Sequence, residues 1–459
     1  MTTTKSNRLR RALAALFVVS TMMASVQLGT TSQAFAETPQ KRAVPDYDGR
    51  GPEPTTVGED MLWIPRVVLS PVYFVTEYIL RRPIMFLVTE AERAGLLDPD
   101  VFTFGDGNIG VVPTVLLDFG LQVGMLPSAG IYFWWDNFIA KGNHLRFRAA
   151  FGGDDWIELD LKDVVEFGAD NQYEVYLKGE YNRRRDQVFA GIGAKGGPVG
   201  RYGLDELRAT VGFDWTISGR SFLRLDLSLN NSDFFRGGCC NQPSVTSLID
   251  AGSLDGFPPG YDAEGVWAFE SHLVAAWDTR KRRPQDESGF RAEIRGGLSA
   301  NLREGKSGWG HYGATLGGYV DIWEARTLGL ILQVDFADPL GSTPVPFTDL
   351  VMLGGDDLMS GFVEGRLRGR STVVLSLDYR WPIWFLLDGW IHAAVGNVFG
   401  AHLEDFELGK LRASFGFGVR PSSDEDHPFS LMIAAGTEPF EDGAAITNVR
   451  FVVGTSSGF

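Results

Sequence analysis

In "SFLRLDLSLN", Ser221 to Asn230, the apolar Leu223, Leu225, Leu227 and Leu229 alternate without a break with Arg224, Asp226, Ser228 and Asn230. Side chains of a β-strand point by turns to its two faces, so the segment reads as a strand with one apolar and one polar side. The pattern recurs in "YEVYLKGEY", Tyr173 to Tyr181, where Tyr173, Val175 and Leu177 oppose Glu174, Tyr176, Lys178 and Glu180. It recurs again in "FRAEIRGGL", Phe290 to Leu298, where Arg291, Glu293 and Arg295 share a face. A soluble sandwich buries one face and wets the other. Here charges of both signs line the polar face in strand after strand, with no second apolar layer to cover the opposite side. That fits a barrel with lipid outside and a polar lumen.

Sixteen such segments can be marked, at about 115–125, 129–138, 143–152, 155–164, 171–181, 203–217, 221–233, 265–279, 288–301, 307–323, 326–337, 370–384, 387–398, 410–421, 429–439 and 445–457. An even count returns both chain ends to the periplasmic side. Loops 182–202, 234–264, 338–369 and 399–409 are then extracellular, and the short "ISGR" (217–220) and "WEART" (323–327) are periplasmic turns. The expected fold is a 16-stranded antiparallel transmembrane barrel over 108–459 with a short N-terminal amphipathic helix. A content of 56 Gly and 12% aromatic residues suits that architecture.

Residues 1–36 carry Lys5, Arg8, Arg10 and Arg11 ahead of an apolar run, and end in Ala34-Phe35-Ala36. This predicts a secretory signal peptide cleaved before Glu37. Removing its four basic residues would leave 38 basic against 58 acidic ones, which argues against nucleic acid as a partner. Beyond the signal peptide no apolar run reaches the roughly 20 residues of a spanning helix, so membrane residence would require a closed sheet.

Residues 37–60 read as a Pro- and Gly-rich periplasmic linker, and 61–107 as an amphipathic helix with its lead-in. In Met61 to Arg93 the spacing places Arg66, Ser70, Glu77 and Arg81 on one helical face, with breaks expected near Pro71 and Pro83. Such a helix suits the inner membrane–water interface or the barrel mouth, and equally a plug or brace for the barrel.

One long connection is not an ordinary turn. "VPFTDLVMLGGDDLMSGFVEGRLRGRSTVVLSLDYRWPIW", Val345 to Trp384, carries a Gly-Gly pair, a Ser360-Gly361-Phe362 tip and a strand ending in Asp-Tyr-Arg-aromatic-Pro. "WDTRKRRPQDESGFR", Trp277 to Arg291, places Asp278, Arg280, Pro284 and Gly289 in one periplasmic turn. With "HAAVGNVFG", His392 to Gly400, these segments resemble, in order and spacing, the BamA/TamA-like bacterial surface antigen family of outer-membrane barrels. The end of the chain, with Phe451, Gly454 and Phe459, looks like the family's assembly signal, although Ser457 departs from the usual aromatic.

The resemblance implies an outer-membrane location and a role in membrane biogenesis, through insertion or transfer of protein or lipid at a weak seam between first and last strands. It also implies a sixth loop folded into the lumen, its tip arginine paired with an aspartate on the facing strand. Here those positions are Ser360 and Ala394, so both partners are missing together. Losing both members of a buried pair is close to neutral, whereas losing one costs roughly 3–5 kcal/mol. Arg366, Arg368, Asp378 and Arg380 are the candidates for a replacement lock, with Arg366 or Arg368 expected to pair with Asp378 or another lumen carboxylate. The family's periplasmic repeats do not fit into residues 37–107.

Expected partners are outer-membrane lipid and lipopolysaccharide, the barrel assembly machinery during insertion, and a periplasmic protein meeting residues 37–93. A passive solute pore and a purely structural barrel are the alternative functions. No cofactor, metal or catalytic role is expected. "GIGAKG", 191–196, lacks the helix that a phosphate loop needs and reads as a flexible hairpin, and the six histidines lack metal spacing. Cys239 and Cys240 suit either a vicinal disulfide or two loop thiols.

Overall fold

In the computed structural model the described residues are 62–82, 103–104, 107–261, 265–281, 287–303, 307–323, 325–355, 358–384, 387–421 and 429–455. The expected signal peptide (1–36) and linker (37–60), Pro284 and Phe459 lie outside them.

On the strand that contains Leu225, Leu227 and Leu229, those three leucines are exposed, whereas Ser228 and Asn230 on its other face are buried. The apolar face is therefore the outside. The barrel strands are β1 (Ile109–Gly120), β2 (Ser128–Asp136), β3 (Asn143–Phe151), β4 (Trp156–Phe167), β5 (Tyr173–Phe189), β6 (Gly200–Ser218), β7 (Ser221–Arg236) and β8 (Val266–Asp278). They continue as β9 (Gly289–Asn301), β10 (Gly308–Trp323), β11 (Arg326–Pro339), β12 (Ser371–Trp384), β13 (Leu387–Phe399), β14 (Arg412–Pro421), β15 (Phe429–Thr437) and β16 (Ile446–Thr455). Each pairs antiparallel with the next, and β16 closes on β1, so no open edge faces lipid.

The first strand begins and ends earlier than expected, at 109–120 rather than 115–125. Its apolar run "VVPTVLL" hides the alternation, which the pairing resolves with Asp118 inward and Phe119 outward. β5 and β6 also run further into the predicted loop 182–202, to Phe189 and from Gly200. The charged "NRRRD" stretch stays in the sheet because its charges are paired: Arg184 lies 3.0 Å from Asp186 and 3.3 Å from Glu158. Similar pairs line the lumen, among them Arg148 with Glu158 at 3.2 Å, Arg208 with Glu270 at 3.1 Å and Arg295 with Asp335 at 2.6 Å. Mutual pairing lets partly dehydrated charges face one another across the ladders.

The lumen is not uniformly polar. Where β13 to β16 meet β1, its lining turns apolar, with Leu116, Trp390, Met432, Ala434 and Val452 in one buried cluster. At the extracellular mouth a second cluster gathers Phe189, Tyr202, Val266 and Trp309 around Phe347 of the β11–β12 loop. The loop between β7 and β8 contains the Cys239–Cys240 pair, joined as a vicinal disulfide.

The N-terminal helix is present as α1 (Trp63–Val68) and α2 (Ser70–Phe74), continued by a π-helical turn, Val75–Arg81. The break falls at Leu69, two residues before Pro71, where the proline ring disfavours an uninterrupted ladder. It braces the barrel from outside rather than plugging it.

Candidate functional site: loop tip and seam

The β11–β12 loop turns inward. Gly354, at φ +112°, allows the reversal, since a side chain there would meet the Val363 carbonyl. Gly355 N–H then donates to the Phe362 carbonyl at 2.9 Å, closing the neck of the loop. Met359, Ser360 and Phe362 are fully buried, with Phe362 packed over Gly436 of β15 and alongside Ala394. Gly361 touches the β15 backbone: a Cβ placed on it would lie 2.2 Å from the Ala435 carbonyl oxygen. Its N–H donates to Ser414 Oγ on β14 at 2.9 Å. Ala394 is paired with Ser414 across the sheet, so the position where the family resemblance called for an aspartate does lie beside the tip. It is filled by apolar packing instead.

The charge that grips the tip comes from the last strand. Arg450 donates to the carbonyls of Gly355 (2.6 Å), Ser360 (3.0 Å) and Phe362 (3.3 Å). The same guanidinium makes a bidentate contact with Asp118 of β1, at 3.0 and 2.7 Å. Both side chains are buried, and they face each other across the closing ladder. That ladder has five residue pairs among the described residues, from Arg450↔Gly120 to Gly454↔Leu116. Gly454, at φ +126°, is its last pair, and a Cβ there would meet the Val115 carbonyl at 1.6 Å. One arginine therefore ties the loop tip and the two seam strands together, through charge-assisted hydrogen bonds on both sides.

Among the described residues neither Arg366 nor Arg368 pairs with Asp378 or another lumen carboxylate, as a replacement lock would require. Asp378 instead lies within hydrogen-bond distance of His392 Nδ1, 2.6 Å away on β13. This is a cross-strand neighbour, and therefore cheaper to satisfy than a partner across the lumen. Arg380 shares the lumen face of β12 with Asp378 and makes no hydrogen bond or ion pair to the loop tip among the described residues. Arg368 does hold the loop, but through neutral acceptors: the Phe347, Gly365 and Val188 carbonyls at 2.8, 3.2 and 3.3 Å and the Tyr202 hydroxyl at 2.9 Å. Arg366 stands near Gly196, in the loop between β5 and β6. That loop, expected to be flexible, is anchored: Arg412 and Asn397 donate to the Lys195 and Ala194 carbonyls at 3.2 and 2.9 Å. Asp278, Arg280 and Gly289 stay together in their turn at the other end of the barrel, with Arg280 on Asp278 at 2.6 Å and its guanidinium over the Tyr319 ring.

Burial alters the titration of the loop itself. It lowers the Arg366 pKa, with Arg412 adding repulsion. It pushes Asp349 up to about 7, reinforced by Glu270 and only partly offset by the Thr348 hydroxyl. An unfolded aspartate ionises near 3.9, about where the raised folded group still keeps its proton. Ionising the folded group is thus unfavourable, and stability falls as pH rises from about 4 to about 7. Asp349→Asn is accordingly expected to raise the heat-modifiable gel transition at pH 8 and leave it nearly unchanged at pH 4. An equal shift at both pH values would refute the assignment.

Arg450 and Asp118 were not among the residues that sequence reasoning proposed. A signal was present: each is a charge on the lumen face of a terminal strand, and closure makes those two strands neighbours.

The family comparison matches residues 162–456 to the Omp85 superfamily domain. Among solved structures, BamA from Haemophilus ducreyi lacking POTRA domains 1–3 is similar with a TM-score of 0.51 at 15% identity, covering 75% of this chain and 70% of that one. CdiB from Acinetobacter baumannii is similar with a TM-score of 0.46 at 11% identity, covering 76% of this chain and 60% of that one. No curated protein sequence matches this chain significantly.

Proposed function

This chain belongs to the Omp85 superfamily, and from that premise we propose that it acts in outer-membrane biogenesis, inserting or transferring protein or lipid at the seam between β16 and β1. It is a barrel of the bacterial outer membrane. The observation that carries the reading is the Arg450–Asp118 contact, which spans the seam while Arg450 also holds the loop tip. Parting the strands would release the tip, and withdrawing the tip would leave the seam pair with fewer supports. A device of this kind suits a wall that opens. The loop packed into the mouth around Phe347 supports this reading over a steadily open solute pore.

The test uses Phe119 and Phe451, opposed across the seam. With Cys239 and Cys240 replaced by serine, Phe119→Cys/Phe451→Cys should form a disulfide in a barrel that still folds. The oxidised protein is expected to fail to restore the envelope composition of a strain lacking the gene, and reduction is expected to restore it. Full complementation by the cross-linked protein would refute the proposal. Steady large currents through it in planar bilayers would favour a pore.

A further inference from the structure

The helical segment lies against the outer wall. By strand alternation Ile322 shares an outward face with Leu316, and Tyr379, Trp381 and Ile383 share one with Leu375 and Leu377, which are exposed. These residues form a buried cluster near the periplasmic rim, and Leu62, Leu69 and Val72 of the helix cover it. Arg326, which opens β11, also points outward, on the face that carries Leu330 and Leu332. Its guanidinium donates to Glu77 at 2.6 Å, Thr76 Oγ1 at 3.1 Å and the Tyr379 hydroxyl at 3.2 Å, and lies 4.4 Å from the Tyr73 ring centre. A cation on the lipid-facing rim thus finds its carboxylate on the helix, which explains why Glu77 turns toward the wall.

The other side of the helix carries Trp63, Ile64, Val67, Val68, Phe74 and Tyr78, all exposed, with Trp63 and Ile64 at 66%. Among the described residues nothing covers them. The strands they lie beside also expose Leu330, Leu332, Leu375 and Leu377 on their outward face. Arg82 is exposed at its end, with its guanidinium 4.2 Å from the Tyr78 ring centre. An aromatic and aliphatic face bordered by arginine, held beside a lipid-facing wall, has the composition of an interfacial helix.

We propose that residues 63–82 form an external rib of the barrel whose exposed strip is embedded in the periplasmic leaflet, with phospholipid as its occupant. The rib then fixes the depth of this part of the wall, and Glu77 keeps Arg326 from facing acyl chains unpaired.

The experiment places an environment-sensitive fluorophore on single cysteines, Ile64→Cys and Val68→Cys, in the full chain with Cys239 and Cys240 changed to serine. Leu340→Cys, on the exposed extracellular loop, is the control. Folding is verified by heat-modifiable migration before reconstitution into phosphatidylethanolamine/phosphatidylglycerol vesicles. Spin-labelled lipid is expected to remove most of the emission at 64 and 68 and little at 340, with aqueous iodide giving the reverse order. Iodide quenching at 64 and 68 as strong as at 340 would overturn the proposal, because the strip would be in water. Shielding from both quenchers would overturn it too, because a protein partner would then cover the strip.

Discussion

Arg450→Met is expected to lower the temperature at which the folded, heat-modifiable form disappears and to open the β11–β12 loop to protease. The substitution keeps most of the side-chain length but removes both hydrogen bonds to Asp118 and all three to the loop carbonyls. Asp118 would remain buried without its cation, which costs about 3–5 kcal/mol for a pair of this kind. A second variant separates the two duties of the arginine. In Arg450→Met/Asp118→Leu the stranded carboxylate is gone, so barrel stability should largely return. Loop protection should not return, because the carbonyls of Gly355, Ser360 and Phe362 still lack the guanidinium. An Arg450→Met protein with unchanged transition temperature and an intact loop would show that the tip is held without the seam.

Gly361→Ala is expected to have an effect of similar size by a different route. The added methyl would lie 2.2 Å from the Ala435 carbonyl oxygen, which belongs to a paired strand and cannot yield as a flexible side chain would. The tip must lift, losing the Gly361–Ser414 hydrogen bond and the burial of Phe362. Removing a buried phenylalanine from its packing costs about 3–5 kcal/mol, which sets the scale of the expected destabilisation. Ser360→Ala is the matched control. Its hydroxyl is wholly buried with no hydrogen-bond partner among the described residues, so deleting it should be neutral or slightly stabilising. Protease sensitivity of the loop and the gel transition should change together in Gly361→Ala and in neither case for Ser360→Ala. Equal behaviour of the two variants would mean that the close approach at Gly361 does not hold the tip in place.

Both predictions rest on residues of unequal visibility in the sequence. The loop tip was legible through the resemblance of Ser360-Gly361-Phe362 and its flanking motifs to the family's segment, and the structure adds that Gly361 lies against the backbone of β15. The absent lock was legible as well, since Ser360 and Ala394 lack charge at both matching positions. The substitute was not. Arg366 and Arg368 were favoured because they are near the tip in the chain, whereas the arginine that reaches it is 90 residues away from Ser360. Sequence proximity is a poor guide in a closed sheet, where the last strand lies beside the first. The helix shows the same limit from another side. Its periodicity placed Arg66 and Glu77 together, but the outward Arg326 gave that polar face a partner on the wall and left apolar residues on the exposed side.

The sequence by itself determined the number of strands and the direction in which each face points, because strand alternation has a period of two and needs no knowledge of neighbours, while the inward fold of the loop was implied only by the family resemblance. Only the tertiary structure decided which charges meet. Closure of β16 on β1 brings Arg450 to Asp118, and the inward loop brings carbonyls within reach of the same guanidinium. Hydrogen bonds act over about 3 Å, and that proximity exists only once the whole sheet has closed.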